Sequence, residues 1–384
     1  MIRAIHYATG EPVTISMDQG IITNLAPISE TEIGDAGLPL AASGLVDLQI
    51  NGFAGLDFNR LPMPDTLLGD AIRKLWSQGV TACYPTVITN GAEEIRALLA
   101  SIARACDEDP VVEQGIAGIH LEGPFISPQD GARGAHGLEY VRAPDWELFC
   151  GWQAASGGRI KIVTVSPEWP GSASFIRQCT DSGVTVSIGH TSATSEQIQE
   201  AVDAGARMST HLGNGAHLML PRHPNYIWEQ LAQDRLSSCV IADGFHLPDQ
   251  VLKVVLKVKG KQALLVSDAV SLSGLEAGTY TTHIGGQVVL TPQGRLHLAE
   301  NENILAGSAQ MLLAGIEHLT GRGLTAFDEA WDMASIRPAT AMNLPSAVGL
   351  QAGAPADLVL FRMVGSRIQV ERTYKKGERV YTKP

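Results

Sequence analysis

Ile116-Ala117-Gly118-Ile119-His120-Leu121-Glu122-Gly123-Pro124 is an apolar run that reads as a buried β-strand, closes on a carboxylate and is broken by glycine and proline. The arrangement recurs down the chain. Val186-Ser187-Ile188-Gly189-His190, Arg207-Met208-Ser209-Thr210-His211 and Leu264-Leu265-Val266-Ser267-Asp268 each set a metal-seeking or proton-accepting side chain directly after a strand-like run.

Working outward, eight strand-like runs fall at residues 45–50, 80–86, 116–121, 160–165, 184–188, 207–210, 238–242 and 263–267. Between most of them lie amphipathic segments with apolar residues three and four apart, such as Leu67, Ala71 and Leu75, then Ile95, Leu98, Leu99 and Ile102. Eight buried strands alternating with helices predict an α/β fold, a closed (β/α)8 TIM-like barrel over residues 43–349, whose strand-to-helix loops form the active face. The chain ends read differently. Residues 1–42, broken by Gly20, Gly34 and Gly37, and residues 350–384, with Ala356-Asp357-Leu358-Val359-Leu360-Phe361 and Val380-Tyr381, are short β-like pieces expected to form one small β-sandwich. A hairpin-like stretch over 279–298, with Gly285-Gly286 and Gly294, predicts a β insertion near the last barrel strand.

Composition agrees with a large buried core. The 384 residues are 45% hydrophobic and include 40 glycines. A formal net charge of -12 argues against non-specific attraction to nucleic acid or to an anionic membrane, so an anionic substrate must be held by local groups. Cys83, Cys106, Cys150, Cys179 and Cys239 are odd in number and lack CxxC spacing, which predicts free thiols in a reducing cytoplasm. The start, Met1-Ile2-Arg3-Ala4-Ile5-His6, has no apolar signal core, and no stretch approaches the ~20 apolar residues of a spanning helix. A soluble cytoplasmic protein is expected.

One histidine after a strand is more often a hydrogen-bonded structural residue than a ligand. Glu122, His190, His211 and Asp268, however, sit at the carboxyl ends of four different predicted strands, where barrel enzymes place their reactive groups. A hard carboxylate with two imidazoles suits Zn2+, and also Fe2+ or Mn2+, with a position left open for water. Such an ion lowers the pKa of water from 15.7 towards ~7, and an aspartate beside it can take the proton. These are the parts of a metal-dependent hydrolase.

The set His120-Leu-Glu-Gly-Pro-Phe125, Ala135-His136, Ser187-Ile-Gly-His-Thr191, Thr210-His211-Leu, Asp243-Gly-Phe-His246 and Ser267-Asp268-Ala269 resembles the N-acetylglucosamine-6-phosphate deacetylases of the amidohydrolase superfamily. The resemblance runs in order over nearly the whole chain, from Asp47-Leu-Gln49-Ile-Asn51-Gly52 to Leu305-Ala306-Gly307-Ser308. It implies that Glu122, His190 and His211 hold one metal ion. Asp268 would activate water and protonate the leaving amine, and His136 would polarise the scissile carbonyl. Many amidohydrolases carry His-x-His on the first strand, which creates a second metal position. Gln49 and Asn51 stand there in this chain, and neutral amides bind Zn2+ poorly, so a single tight ion is expected.

The resemblance also implies substrate contacts at Ala135, His136, Asn214, Gly215, Arg222, His246, Leu305, Ala306 and Gly307, with Arg222 reaching a neighbouring subunit in a homodimer. The chain departs from the family's Leu-Phe-Asn-Ala-Met turn, reading Leu212-Gly213-Asn214-Gly215-Ala216, and His223-Pro224-Asn225 replaces Glu-Pro-Gly after the arginine. Glycine lets the main chain approach an anion closely, yet the two glycines remove side chains that would shape a sugar pocket. Trp76, Trp152, Trp169 and Trp228 read as core or interface, Trp228 also as a ligand cover. His217 and His223 read as solvated loop residues, and Arg337-Pro338 as structural. The expected function is hydrolysis of the N-acetyl group of an aminosugar phosphate. The alternatives are the same chemistry on another N-acyl aminosugar or a cyclic amide, and a non-catalytic barrel module.

Overall fold

The computed structural model describes residues 1–28, 37–282 and 286–384, so Gly34 and Gly285 lie outside the described residues. All eight predicted barrel strands are present: β1 (Leu45–Ile50), β2 (Val80–Ile88), β3 (Ile119–Glu122), β4 (Ile160–Val165), β5 (Thr185–Ile188), β6 (Met208–Ser209), β7 (Ser237–Val240) and β8 (Ala263–Leu265). They lie side by side in chain order, each parallel to the next. β3 starts three residues later than the sequence suggests. The helix Pro110–Gly115 ends just before it, and only an isolated bridge from Cys83 to Ile116 marks the expected start.

Amphipathic helices cover the outside. Leu67, Ala71 and Leu75 of Leu67–Trp76 are buried, as are Ile95, Leu98, Leu99 and Ile102 of Ala92–Glu108. Each leucine or isoleucine among them contributes roughly 1.5–3 kcal/mol relative to exposure. Inside the barrel, Val46, Leu48, Tyr84, Ile162, Met208, Leu264 and Val266 form a separate cluster, which Ala339 of the helix Ile336–Ala341 joins. Arg337 serves that helix structurally: it donates to Gly260 O at 3.1 Å and pairs with Glu329. No helix among the described residues is long and apolar enough to cross a membrane.

The two chain ends form one seven-stranded sheet, in the order Glu378–Thr382, Arg367–Lys375, Leu358–Val364, Leu40–Ser43, Ile2–His6, Pro12–Asp18, Ile21–Pro27. Hydrogen bonds between Ile22 and residues 353–354, and from Ala356 N to Gly20 O, fold the edge strand back over the sheet's own core. Strand alternation divides the work. Leu358 and Leu360 join that core with Ile2, Ala4, Val13 and Ile15, whereas Val359 and Phe361 face the main cluster, where Phe361 stacks on Trp331 at 4.6 Å. The β insertion is larger than a hairpin, four strands from Gly278–Thr282 to Asn301–Leu305 with a small core at Leu272, Val288, Leu290 and Leu296.

The barrel closes between β1 and β8 without a regular ladder. Asp268 N donates to Gln49 O at 2.9 Å and Asn51 N to Ala269 O at 2.8 Å. Below them Asp47, wholly buried, accepts from Ser267 Oγ at 2.5 Å and from Ser267 N at 3.2 Å, so one carboxylate ties the seam. Burial pushes the Asp47 carboxyl up to about 7 against those hydrogen bonds. A carboxyl that binds its proton more tightly folded than unfolded loses stability as pH rises from about 4 to about 7, because the unfolded chain ionises first. Asp47→Asn is therefore expected to be no more stable than wild type at pH 4.5 and to gain by a kcal/mol or more at pH 8. Urea midpoints at the two pH values, with a chelator present throughout, check this. An equal difference at both would show that Asp47 does not titrate in this range.

Candidate metal centre

Three side chains from three strand ends converge. Glu122 closes β3, His190 follows β5 and His211 follows β6. Glu122 Oε1 lies 2.9 Å from His211 Nε2 and 3.2 Å from His190 Nε2, and the two imidazole nitrogens are 3.1 Å apart. A cation with ~2.0–2.1 Å bonds in a tetrahedral site sets its ligands roughly 3.3 Å apart, so the triangle is close to the size required. His136 stands edge-on to His190 with ring centres 4.4 Å apart, and it brings a donor within 4.8 Å of ligand atoms of both Glu122 and His190.

The tautomers follow from the partners. His190 Nδ1 lies 3.0 Å from Ala132 O, and a carbonyl can only accept, so the proton sits on Nδ1 and the Nε2 lone pair faces the cage. The electrostatics ask for a positive charge there. Burial alone would push Glu122 up, but the hydrogen bonds and charges of His190 and His211 hold it well below the usual carboxylate range. Burial would push His211 down, yet Glu122 draws it up to about 9. A divalent ion supplies that charge without a proton, so the donor set fits the metal that the sequence suggests. His136, by contrast, is neutral: burial and the neighbouring His190 take it down to about 3, and its Nδ1 is buried with no partner among the described residues.

Asp268 follows β8. Its Oδ1 accepts from Asn51 Nδ2 at 2.8 Å and Gln49 Nε2 at 3.1 Å, and Gln49 Nε2 also donates to Glu122 Oε1 at 2.9 Å. Both amides thus turn N–H groups, not lone pairs, toward the carboxylates. Burial and the charge of Glu122 push Asp268 up to about 6. Three of these residues hold left-handed backbone, His190 (φ 47°), His211 (φ 24°) and Asp268 (φ 47°), where non-glycine residues are strained.

His120, two residues before Glu122, takes no part in the cage. Its Nδ1 meets Leu48 O at 3.1 Å and its Nε2 meets Thr164 Oγ1 at 2.8 Å, and burial takes it down to about 4. His246 Nδ1 is held by Asp243 Oδ2 at 2.7 Å, while Asp243 Oδ1 accepts from the amides of Phe245 and His246. The Leu305-Ala306-Gly307 segment leaves the last insertion strand and runs beside Val270, two residues after Asp268. A side chain at Gly307 would meet Val270 Cγ1 at 2.7 Å. Asn214 bonds back to His211 O, whereas Ala135 and Arg222 are exposed, and Arg222 carries no ion pair among the described residues.

The two glycines of the turn lie against neighbouring side chains. A Cβ on Gly213 would meet Leu247 Cδ2 at 2.9 Å, and one on Gly215 would lie 2.5 Å from His190 Nδ1. Leu247 and the His190 ring occupy the space that side chains at these two positions would take. His217 is more than a solvated loop residue: its Nδ1 lies 2.9 Å from the Tyr226 hydroxyl. Trp76 and Trp152 are core, Trp169 is half-buried with Nε1 donating to Ile126 O, and Trp228 is exposed. Sequence reasoning missed Ala132 and the orienting role of Asp243. A main-chain carbonyl leaves no mark in a sequence, although Asp243 could have been read from its three-residue spacing to His246.

The Amidohydrolase family profile matches residues 40–380. An N-acetylglucosamine-6-phosphate deacetylase of Bos taurus is 34% identical over 366 residues, spanning 90% of this chain and 85% of its own. Among solved structures, the N-acetyl-D-glucosamine-6-phosphate deacetylase of Mycobacterium smegmatis superposes with TM-score 0.86 at 26% identity, covering 99% of each chain. An alanine variant of that enzyme, in complex with N-acetyl-D-glucosamine-6-phosphate, matches with TM-score 0.84 at 27% identity over 97% of this chain and 95% of its own.

Because Gly215 has φ 56° and the His190 ring beside it, Gly215→Ala should lose about 2–4 kcal/mol of stability from clash and strain together. Gly158→Ala, at φ 77° with nothing within 4 Å, should lose only about 1 kcal/mol. Urea unfolding of both variants tests the difference, and equal losses would mean that the loop moves away from His190 without cost.

Proposed function

The chain belongs to the amidohydrolase family, among its N-acetylglucosamine-6-phosphate deacetylases, and from this premise we propose that it cleaves the N-acetyl group of N-acetylglucosamine 6-phosphate to give glucosamine 6-phosphate and acetate. The observation that carries the reading is the triangle of Glu122 Oε1, His190 Nε2 and His211 Nε2 with Asp268 fixed beside it. Glu122, His190 and His211 would hold one divalent ion, Zn2+ by preference and Fe2+ or Mn2+ by compatible chemistry, which when bound supplies Lewis acidity toward water and the amide carbonyl.

The remaining work belongs to the chain. Asp268 Oδ1 is occupied by the Gln49 and Asn51 amides, so Oδ2 is the oxygen left to take the proton from water and return it to the departing amine. The two amides keep a second cation away from the first strand, which supports a single-ion centre. His136, neutral and beside the cage, donates to the carbonyl oxygen as the tetrahedral oxyanion develops. His246, oriented by Asp243, contacts the sugar along with Ala135 and the segment Leu305-Ala306-Gly307. Asn214, the Gly215 amide and Arg222 receive the phosphate. Arg222 serves a neighbouring copy, a homodimer supported by Leu218 and Met219 beside it, which are 99% and 87% exposed. Five free cysteines support a reducing, cytoplasmic setting. A non-catalytic module is disfavoured because the cage and Asp268 are intact.

Acetate release should require a divalent ion, fall by about 10²–10⁴-fold in Asp268→Asn, and drop at least roughly 100-fold in kcat/KM when the phosphate is missing, the loss of about 2.7 kcal/mol. A turnover panel on wild type and Asp268→Asn with N-acetylglucosamine 6-phosphate, its galactosamine isomer and the unphosphorylated sugar, each with and without Zn2+, reads all three. Equal turnover of the unphosphorylated sugar would remove the roles given to Asn214, the Gly215 amide and Arg222. Turnover that survives chelation would remove the metal centre.

A further inference from the structure

Glu168 lies outside the cage, in the loop after β4, and no step above uses it. Its carboxylate gathers four donors from three different loops. Oε1 accepts from Ser127 Oγ at 2.9 Å, in the loop after β3. Oε2 accepts from Ser166 Oγ, Ser192 N and Ser192 Oγ, each at 2.7 Å, the first after β4 and the other two after β5. The loops after β3 and β5 continue from Glu122 and from His190. A second contact binds the same two loops directly, since Ser127 N donates to His190 O at 2.8 Å.

His190 needs this restraint. It sits at φ 47°, a conformation that persists only where the surroundings fix it. Its ring is fixed by Ala132 O and its carbonyl by Ser127 N, both through main-chain groups. The chain beyond it is fixed by side chains: Ser192 N donates to Glu168, and Thr191 Oγ1 meets Ser166 Oγ at 2.8 Å, a hydroxyl that itself donates to Glu168 Oε2. We propose that Glu168 is a positioning residue that clamps the Glu122 and His190 loops together and so holds the Nε2 of His190 on the metal position. The proposal rests on the metal-centre reading above. A carboxylate suits the post because three donors meet on Oε2 and one of them, a backbone N–H, cannot turn away. Glutamine keeps one oxygen for those three and presents an NH2 group to Ser127 Oγ, which can rotate to accept, so it retains most of the clamp.

The test is the Zn2+ dissociation constant of the full-length protein, read by chelator competition, with the melting temperature of the metal-free protein alongside. Glu168→Ala should bind Zn2+ about 10–100-fold more weakly than wild type, as loss of an outer partner of a metal ligand does. Glu168→Gln should fall between the two, and turnover of both should recover at saturating Zn2+ with KM little changed. Ser172→Ala is the control. It removes a buried bond from Ser172 Oγ to Pro167 O at 2.8 Å beside the clamp, and should lower the melting temperature while leaving Zn2+ affinity within twofold. Zn2+ affinity within twofold of wild type in Glu168→Ala, or an equal loss in Ser172→Ala, would overturn the clamp and leave the metal centre standing. A wild-type protein that binds no Zn2+ would overturn both.

Discussion

A buried carboxylate facing two imidazoles is the constraint on which the rest of the site depends. Glu122 is 3% exposed, and an unpaired charge at that depth would cost several kcal/mol. It is met by His190, His211 and the Gln49 amide at 2.9–3.2 Å. Meeting it demands that strands far apart in sequence end at one point. The price is visible in the backbone, where His190, His211 and Asp268 all take left-handed conformations costing roughly 1–3 kcal/mol each. Strain of this kind survives only in a rigid frame, and the closed barrel is that frame.

The barrel seam and the site are one construction. β1 and β8 lack a regular ladder, and what joins them is Asp47 with Ser267 below and Gln49 and Asn51 with Asp268 above. The residues that close the barrel therefore also fix the Asp268 carboxylate. Gln49 and Asn51 serve both: at the end of the first strand, each turns an N–H group onto a carboxylate. The small sheet braces the barrel, with Val359 and Phe361 packed on the main cluster and Thr373 Oγ1 donating to Trp76 O.

Much of this was legible in the chain order. Strand-like runs ending in Glu122, His190, His211 and Asp268 announced both the barrel and the candidate ligands, since strand periodicity and side-chain chemistry are local properties. The alternating apolar ends likewise foretold a shared small β unit. The sequence could not say that His120, equally close to the strand end, would be spent on Leu48 O and Thr164. Nor could it say that the space beside Gly213 would be filled by Leu247, which lies 34 positions later.

By itself, then, the sequence determined which elements form and which side chains are able to hold a cation or accept a proton, because both depend on residue type and short-range spacing. The tertiary structure alone decided which of those groups meet. The distances among Glu122, His190 and His211, the tautomer of His190 and the neutrality of His136 arise from main-chain carbonyls, burial and neighbouring charges brought together across the barrel, and none of these is written in any one stretch of chain.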